Sequence, residues 1–120
     1  LDAGMPEITR PSLYGAHQPI DVLAPGREQA ATVFVGPCCE SGDILTPAPG
    51  DPVALAPPWV PRPQIGGLVV IGGAGAYCAG MATINYNSYP QAPEVMLGPD
   101  GSLSLLRRRQ VPEQVWQNEV

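Results

Sequence analysis

The 120-residue sequence predicts a single, turn-rich domain of β structure that spans residues 1–120. The 14 glycines and 16 prolines make up a quarter of the chain, and they punctuate it at short intervals. Between them lie short apolar runs of strand length, and 44% of all residues are hydrophobic, which is enough for a core. We therefore expect a mainly β domain with one or two short helices.

Charge and hydropathy exclude several kinds of partner. The net charge is -5, all six cations are arginine, and the one cluster, Arg107–Arg109, is too small to indicate nucleic acid. No apolar run approaches the roughly 18 residues of a membrane span, and no basic region precedes an apolar segment as in a signal peptide. Lysine is absent, so any chemistry that needs a lysine Schiff base must take that lysine from elsewhere.

The cysteines predict a reducing, cytoplasmic setting. There are three of them, Cys38, Cys39 and Cys78, and their spacing contains neither C-x-x-C nor any other zinc-ligand pattern, so we expect no metal. The chain opens Leu-Asp-Ala-Gly without an initiator methionine, which suggests a piece of a longer polypeptide.

The first half of the chain predicts short extended segments joined by turns. Proline interrupts the pattern at Pro11, so at most one helical turn fits within Glu7–Leu13. The Pro25-Gly26 pair marks a turn, and Cys38–Asp43 forms a polar turn after a strand. The extended segments are the end of a strand at Leu1–Gly4, a strand at His17–Leu23 and the clearest strand at Gln29–Gly36.

In the second half, Thr46–Pro63 has seven prolines among its residues and predicts a proline-rich loop of polyproline character. The nearly continuous apolar run Ile65–Ile71 predicts a strand buried on both faces. The remaining elements are a short helix within Ala76–Thr83 after a glycine turn, a hairpin of Glu94–Leu97 with Ser102–Arg107, and a last helical turn within Pro112–Asn118.

The first candidate site is the C-C-E-S-G-D segment, Cys38–Asp43. A thiol beside a carboxylate in a turn just past a strand is well placed to react, and Cys39 can donate a proton or act as a nucleophile, depending on its pKa. Buried cysteines are also common as small hydrophobic residues, and spacing alone does not separate the two interpretations.

A second candidate is the pair Arg10 and Tyr14, which share one face of a helical turn. A guanidinium with a phenol suits a carboxylate ligand, although a surface arginine beside a half-buried tyrosine has the same spacing. His17 is a lone histidine and is assigned no role. The polar and aromatic run Asn85–Tyr89 either packs at the mouth of a ligand site or simply closes the fold.

A third candidate is the G-G-A-G-A-Y segment, Gly72–Tyr77. Glycines between a strand and a helix are typical of a turn that cradles phosphate with backbone N–H groups. The segment matches neither the P-loop nor the G-x-G-x-x-G pattern, and close packing of a strand against a helix explains the glycines equally well.

In this order, six segments resemble the carboxy-terminal domain of the diaminopimelate decarboxylases, which are pyridoxal-phosphate enzymes with an alanine-racemase-like fold. The resemblance covers residues 2 to about 107, and C-E-S-G-D with G-A-Y at this separation is its most specific part. The segments are D-A-G-M (2–5), R-P-S-L-Y-G (10–15), G-P-C-C-E-S-G-D (36–43), G-A-Y (75–77), M-A-T-I-N-Y-N-S-Y-P (81–90) and P-E-V-M (93–96).

The resemblance implies an enzyme of two domains. An amino-terminal (β/α)8 barrel, absent from this chain, would hold pyridoxal 5'-phosphate on a lysine. This chain would be the β-sandwich or Greek-key, barrel-like carboxy-terminal domain, which completes the site at the interface of a homodimer. The implied reaction converts meso-2,6-diaminopimelate to L-lysine and carbon dioxide in lysine biosynthesis, and the chain alone would be inactive.

The resemblance also implies roles for individual residues. Cys39, contributed across the dimer, would be the general acid that reprotonates the α-carbon, and Glu40 would bind the distal ammonium of the substrate. Arg10 and Tyr14 would hold the distal carboxylate. A cation and an anion at these places are the groups needed to bind the far end of such an amino acid.

Two residues are implied to contact the cofactor. Tyr77 would border the substrate and lie against the cofactor phosphate, while Gly75 would allow a tight backbone there. The long proline-rich stretch Thr46–Pro63 and the extra thiol of Cys38 depart from the usual pattern of the family.

Two alternatives stay open. A related decarboxylase could act on ornithine, arginine or an amino acid of specialised metabolism, but Glu40 directly after Cys39, and the presence of Arg10, favour diaminopimelate. A non-catalytic dimerisation or regulatory module is the alternative of another class, and the joint retention of Cys39, Glu40, Arg10 and Tyr77 argues against it.

Overall fold

The computed structural model describes residues 1–24, 26 and 28–120, and in them the chain is mainly β, as predicted. The strands are β1 Ile20–Leu23, β2 Gln29–Ala31, β3 Pro47–Ala48, β4 Asp51–Leu55, β5 Trp59–Pro61, β6 Leu68–Ile71, β7 Glu94–Leu97 and β8 Leu103–Arg107. The helices are α1 Arg10–Tyr14 and α2 Ala76–Gly80, with 3-10 turns at Tyr86–Ser88 and Pro112–Val115.

The described strands form four antiparallel two-stranded sheets and no closed barrel. Three of the pairs are nested, β1 with β6, β2 with β5 and β3 with β4, and the fourth is the hairpin β7–β8. The first two ladders run along the same two chain segments, with Ile20 opposite Ile71 and Gln29 opposite Pro61. The two ladders are here together called the ribbon, and the register of the second differs from that of the first by one residue.

A small apolar core lies on one face of this ribbon. Ile20 and Val22 of β1 pair with Ile71 and Val69 of β6, and all four pack toward the core. The buried core residues are Ile8, Phe34, Leu45, Val60 and Cys78.

The prediction that the Ile65–Ile71 run is buried on both faces is wrong. On the outer face of β6, Leu68 is 68% exposed and Val70 is 49% exposed. Only one face of a two-stranded ribbon is covered within this chain, so the apolar run belongs to a sheet whose second face is open.

The prediction of a loop over Thr46–Pro63 is also wrong, because β3, β4 and β5 lie in this segment. Proline lacks the N–H that a central strand needs, yet it is tolerated where one edge of a strand stays unpaired. Every strand of a two-stranded sheet has such an edge, and Pro61 accordingly sits in the ladder opposite Gln29.

Other elements differ from the prediction at their ends. Only Gln29–Ala31 of the expected strand Gln29–Gly36 is in a ladder, and Val35 makes an isolated bridge to Ile44. Leu1–Gly4 forms no strand. Pro11 lies in the first turn of α1, directly after Arg10, where the helix does not need a backbone N–H.

The later elements agree with the prediction. The short helix after the glycine turn, the β7–β8 hairpin and the last helical turn are all confirmed. Of the predicted Pro25-Gly26 turn, Pro25 lies outside the described residues. In the part of the chain that the structure describes, no helix has the length and apolar character needed to cross a bilayer.

The chain exposes more surface than a self-sufficient domain of its size. Its accessible area is 8099 Å², whereas a folded monomer of 12.6 kDa is expected to expose about 6,200 Å². Both faces of the β7–β8 hairpin contribute to this excess. The apolar side chains there that are more than half exposed are Val95, Met96, Leu97, Leu103, Leu105 and Leu106.

Candidate functional site

Arg10 lies between two aromatic rings. As predicted from their spacing, Arg10 and Tyr14 share one face of α1, and the guanidinium carbon is 5.5 Å from the centre of the Tyr14 ring. On its other side, the same carbon is 5.7 Å from the centre of the Tyr77 ring of α2. Gly15, with φ 61, ends α1 directly after Tyr14 because this left-handed conformation favours glycine. Two cation–π contacts therefore hold the guanidinium in place.

The positive charge of Arg10 is not neutralised within the described residues, whose ion pairs are Arg62–Glu28 and Arg107–Glu94. The other polar contact of Arg10 is to the Met81 sulfur, at 4.0 Å from Nη1. A planar cation with free donors is suited to bind a carboxylate in a bidentate manner.

A groove of about 360 Å³ adjoins this cation, and it is lined by Arg10, His17, Gly75, Tyr77 and their neighbours. The glycine turn after β6 leads into α2, where Cys78 is buried in the core and Tyr77 is 74% exposed. A Cβ on Gly75 would meet nothing within 4 Å, so any crowding there would come from a group outside this chain. His17, to which the sequence assigned no role, also lines the groove, and no sequence pattern singled it out.

The C-C-E-S-G-D segment and the two residues before it form a tight loop that closes on Asp43. This loop, residues 36–43, is here called the Cys39 loop. The Asp43 side chain is buried, and its carboxylate accepts hydrogen bonds from Cys38 N at 2.9 Å and from Met5 N at 2.8 Å. A Cβ on Gly36 would collide with this carboxylate, so only glycine fits. Asp43 thereby ties the D-A-G-M segment to the Cys39 loop, a role that sequence spacing did not predict.

The two thiols of this loop have different surroundings. Cys39 is exposed, while Cys38 is partly buried. Burial, followed by the hydrogen bond and negative charge of Asp43, raises the pKa of Cys38 to about 11. The Cys38 thiol therefore stays protonated near neutral pH.

Glu40 is exposed and ionised. Its Oε1 accepts a hydrogen bond from Gly42 N at 3.0 Å, and its Oε2 accepts one from the Tyr86 hydroxyl at 3.1 Å. These bonds, that of Gly42 first, lower the pKa of Glu40 below its usual range, and Glu40 in turn raises the pKa of Tyr86. The carboxylate is thus a fixed, oriented anion that can bind an ammonium group.

The predicted site residues form two separate groups. One is the cation group Arg10, Tyr14 and Tyr77, and the other is the thiol–carboxylate pair Cys39 and Glu40. Among the described residues, no hydrogen bond, ion pair or ring contact joins the two groups.

By its fold, the chain is a domain built of small antiparallel sheets. A family model described as "Pyridoxal-dependent decarboxylase, C-terminal sheet domain" matches residues 1–75. The match covers more than half of the chain, and the protein belongs to this family.

Curated relatives are similar over almost the whole chain. The diaminopimelate decarboxylase of Streptomyces coelicolor is 44% identical over an alignment of 116 positions, which covers 92% of this chain and 25% of the relative. That of Deinococcus radiodurans is 42% identical over an alignment of 121 positions, gaps included, which covers 100% of this chain and 29% of the relative. The chain therefore spans about a quarter of the length of these relatives.

Solved structures have the same fold. A crystal structure of a diaminopimelate decarboxylase matches with a TM-score of 0.86 and 38% identity, over 98% of this chain and 28% of that one. The diaminopimelate decarboxylase of Helicobacter pylori complexed with L-lysine matches with a TM-score of 0.82 and 35% identity, over 98% and 27%.

Proposed function

We propose that residues 1–120 are the single carboxy-terminal domain of a diaminopimelate decarboxylase, which converts meso-2,6-diaminopimelate to L-lysine and carbon dioxide. The observation that carries the proposal is the guanidinium of Arg10, held between Tyr14 and Tyr77 with its charge unpaired among the described residues. Diaminopimelate has a second carboxylate at its far end, which this cation would bind. Similarity to relatives named for this substrate supports the choice.

The distal end of the substrate also has an ammonium group, and Glu40 would bind it. Hydrogen bonds from Gly42 N, from the Tyr86 hydroxyl and, at 3.4 Å, from the Ser41 hydroxyl already orient its carboxylate, and its lowered pKa keeps it charged near neutral pH. Tyr14 would flank the bound carboxylate beside Arg10. The Glu40 carboxylate and the Arg10 guanidinium would then bind the ammonium and the carboxylate of the same end of the substrate.

Cys39 would supply the proton that replaces carbon dioxide. When the bond between the α-carbon and the carboxylate breaks, carbon dioxide leaves and the electron pair of that bond stays on the substrate. The proton of the Cys39 thiol would then move to the α-carbon, which leaves Cys39 as a thiolate. The exposure of Cys39 supports this role, because the thiol can reach a substrate bound outside this chain. Positioned proton donors of this kind are worth about 10²–10⁴-fold in rate.

The residues around the groove suit pyridoxal 5'-phosphate as a neighbour. The exposed Tyr77 ring offers a face and a hydroxyl, and the backbone at Gly75 is open to close approach. When bound, the cofactor supplies the electron sink for decarboxylation. Since this chain has no lysine, the residue that anchors the cofactor must belong to another part of the enzyme.

The same proposal includes an amino-terminal barrel domain and a homodimer. The excess of exposed apolar surface supports partners, since such surface is normally buried in an interface. The separation of the two groups supports a site that takes Arg10 and Tyr77 from one copy and Cys39 and Glu40 from the other.

The free thiols of Cys38, Cys39 and Cys78 support a reducing, cytoplasmic setting.

Substrate preference in the complete decarboxylase tests the proposal. The measurement is the ratio of kcat/KM on diaminopimelate to that on lysine, in the wild type, Arg10→Ala and Arg10→Lys. We expect Arg10→Ala to lower efficiency on diaminopimelate by about ten- to a hundredfold, the usual effect of losing a charge-assisted contact. Activity on lysine, which has no distal carboxylate, should fall much less.

Arg10→Lys is the matched control and should restore the preference only in part, because a point charge cannot make two parallel hydrogen bonds. If the ratio is the same in all three proteins, Arg10 does not bind the distal carboxylate. A preference for ornithine or arginine in the wild type would favour the related decarboxylases, and no decarboxylation of any of these amino acids would favour a non-catalytic module.

A further inference from the structure

The turn at residues 85–89 contains several residues in an unfavourable backbone conformation. The non-glycine residues with positive φ among the described residues all lie here, namely Asn85 at 63°, Asn87 at 51° and Ser88 at 61°. A side chain makes this left-handed region costly, although asparagine tolerates it best. Such conformations persist only where the surroundings hold them, and they cluster at functional sites.

The side chains of this turn hold the Cys39 loop at three points. Three hydrogen bonds join the two segments: Tyr89 Oη to Pro37 O at 2.9 Å, Cys39 N to Asn87 Oδ1 at 3.1 Å, and Tyr86 Oη to Glu40 Oε2 at 3.1 Å. Both residues of the thiol–carboxylate pair are therefore held by the turn, one through its backbone and one through its side chain.

The turn is itself supported from the opposite side. Asn85 Nδ2 donates to Tyr89 O at 3.0 Å and to Gln110 Oε1 at 2.6 Å, and Gln91 N donates to the same Gln110 oxygen at 2.8 Å. Just before the turn, the Thr83 hydroxyl bonds to Met5 O at 2.6 Å. The strained turn is thus braced by Gln110 on one side and by Met5 on the other, and Met5 also donates its N–H to Asp43 of the Cys39 loop.

We propose that Asn87 and Tyr86 are positioning residues, which set the direction of the Cys39 thiol and of the Glu40 carboxylate. This inference rests on the roles proposed above for Cys39 and Glu40. Asn87 fixes the backbone from which the thiol projects. Tyr86 occupies one oxygen of Glu40 while Gly42 N occupies the other, so the remaining lone pairs point in defined directions toward a bound ammonium group.

Single substitutions in the complete decarboxylase test the first half of this proposal. Asn87→Gly removes the acceptor of the Cys39 N–H and suits the left-handed backbone. Ser88→Gly is the matched control, because it relieves the same conformation at a side chain with no hydrogen bond among the described residues. We expect Asn87→Gly to lower kcat by about two- to tenfold with little change in KM, and Ser88→Gly to leave both near the wild type.

Coupled variants then separate a positioning role from a merely structural one. If Asn87 acts through the thiol, Asn87→Gly should cause no further loss of kcat in a Cys39→Ala background. Likewise, Tyr86→Phe should raise KM for diaminopimelate by about tenfold, and should have no further effect once Glu40→Gln is present.

The outcomes are distinguishable. If Cys39→Ala lowers kcat but Asn87→Gly multiplies that loss, the positioning role of Asn87 is refuted while the role of Cys39 stands. If Cys39→Ala leaves kcat unchanged, the proposed proton donor is refuted, and the role of Asn87 with it. Full additivity of Tyr86→Phe with Glu40→Gln would refute the second half in the same way.

Discussion

The neighbouring residues Cys38 and Cys39 differ in their surroundings, because the buried carboxylate of Asp43 contacts Cys38. Asp43 accepts the Cys38 N–H, and its hydrogen bond and charge add to burial in raising the pKa of Cys38 to about 11. Cys39 turns outward, and its N–H is held instead by Asn87 at 3.1 Å. Of the two thiols, the exposed one of Cys39 is the better placed to reach a substrate bound outside this chain.

This difference predicts opposite results for two matched substitutions. In the complete decarboxylase, Cys39→Ala should lower kcat by about 10²–10⁴-fold with little change in KM, since a positioned proton donor is lost. Cys38→Ala should leave kcat near the wild type. Single-turnover kinetics would separate carbon dioxide release from protonation, and unchanged turnover with unchanged stereochemistry in Cys39→Ala would contradict the role.

Among the structural elements, the Cys39 loop depends on one close approach. Gly36 lies against the buried Asp43 carboxylate, and Gly36 N donates to Asp43 O at 2.9 Å, which closes the loop. A side chain at Gly36 would push the carboxylate away from the N–H groups of Met5 and Cys38. The geometry of the loop and of the first turn of the chain would then change together.

Gly36→Ala should therefore destabilise the complete decarboxylase by about 1–3 kcal/mol, the usual cost of overpacking. Gly80→Ala is the matched control, because a Cβ there meets nothing within 4 Å and Gly80 lies in α2. The midpoint of thermal unfolding, measured for both variants, checks this expectation. Equal midpoints for the two variants would show that the close contact between Gly36 and Asp43 does not make a side chain at Gly36 destabilising.

For the whole molecule, the second face of the ribbon and the β7–β8 hairpin leave apolar side chains uncovered within the chain, and we expect another domain or subunit to cover them. Its 8099 Å² of accessible surface exceeds the expectation for its mass by roughly 1,900 Å². A covering domain would bury apolar side chains such as Leu68, Leu97 and Leu103, which are all 68% exposed or more.

The chain by itself should bind pyridoxal phosphate weakly or not at all, because it offers a groove but no lysine to form a covalent link. An absorbance titration followed by borohydride trapping measures this, with the complete decarboxylase as the positive control. A stoichiometric, borohydride-reducible adduct on the isolated chain would contradict the prediction.

Local patterns in the sequence were sufficient for part of the fold and of the candidate site. The β7–β8 hairpin, the short helix α2 and the spacing of Arg10 and Tyr14 on one helical face all depend on residues a few positions apart. The segments resembling the decarboxylases, including Cys39 and Glu40, are likewise contiguous runs. Chemical identity and short-range geometry can be predicted in this way because they need no knowledge of distant partners.

The tertiary structure alone decided the rest, because the contacts involved join residues far apart in sequence. Cys39 and Asn87 are 48 positions apart, and nothing in the C-C-E-S-G-D segment indicates that an asparagine will hold its backbone. The proline-rich segment forms strands because each of them pairs along one edge only, β3 with β4 and β5 with Gln29–Ala31. The other edge of each strand needs no N–H groups. Pairing, burial and the bracing of the Cys39 loop are set by the whole chain, so propensity within a short window does not determine them.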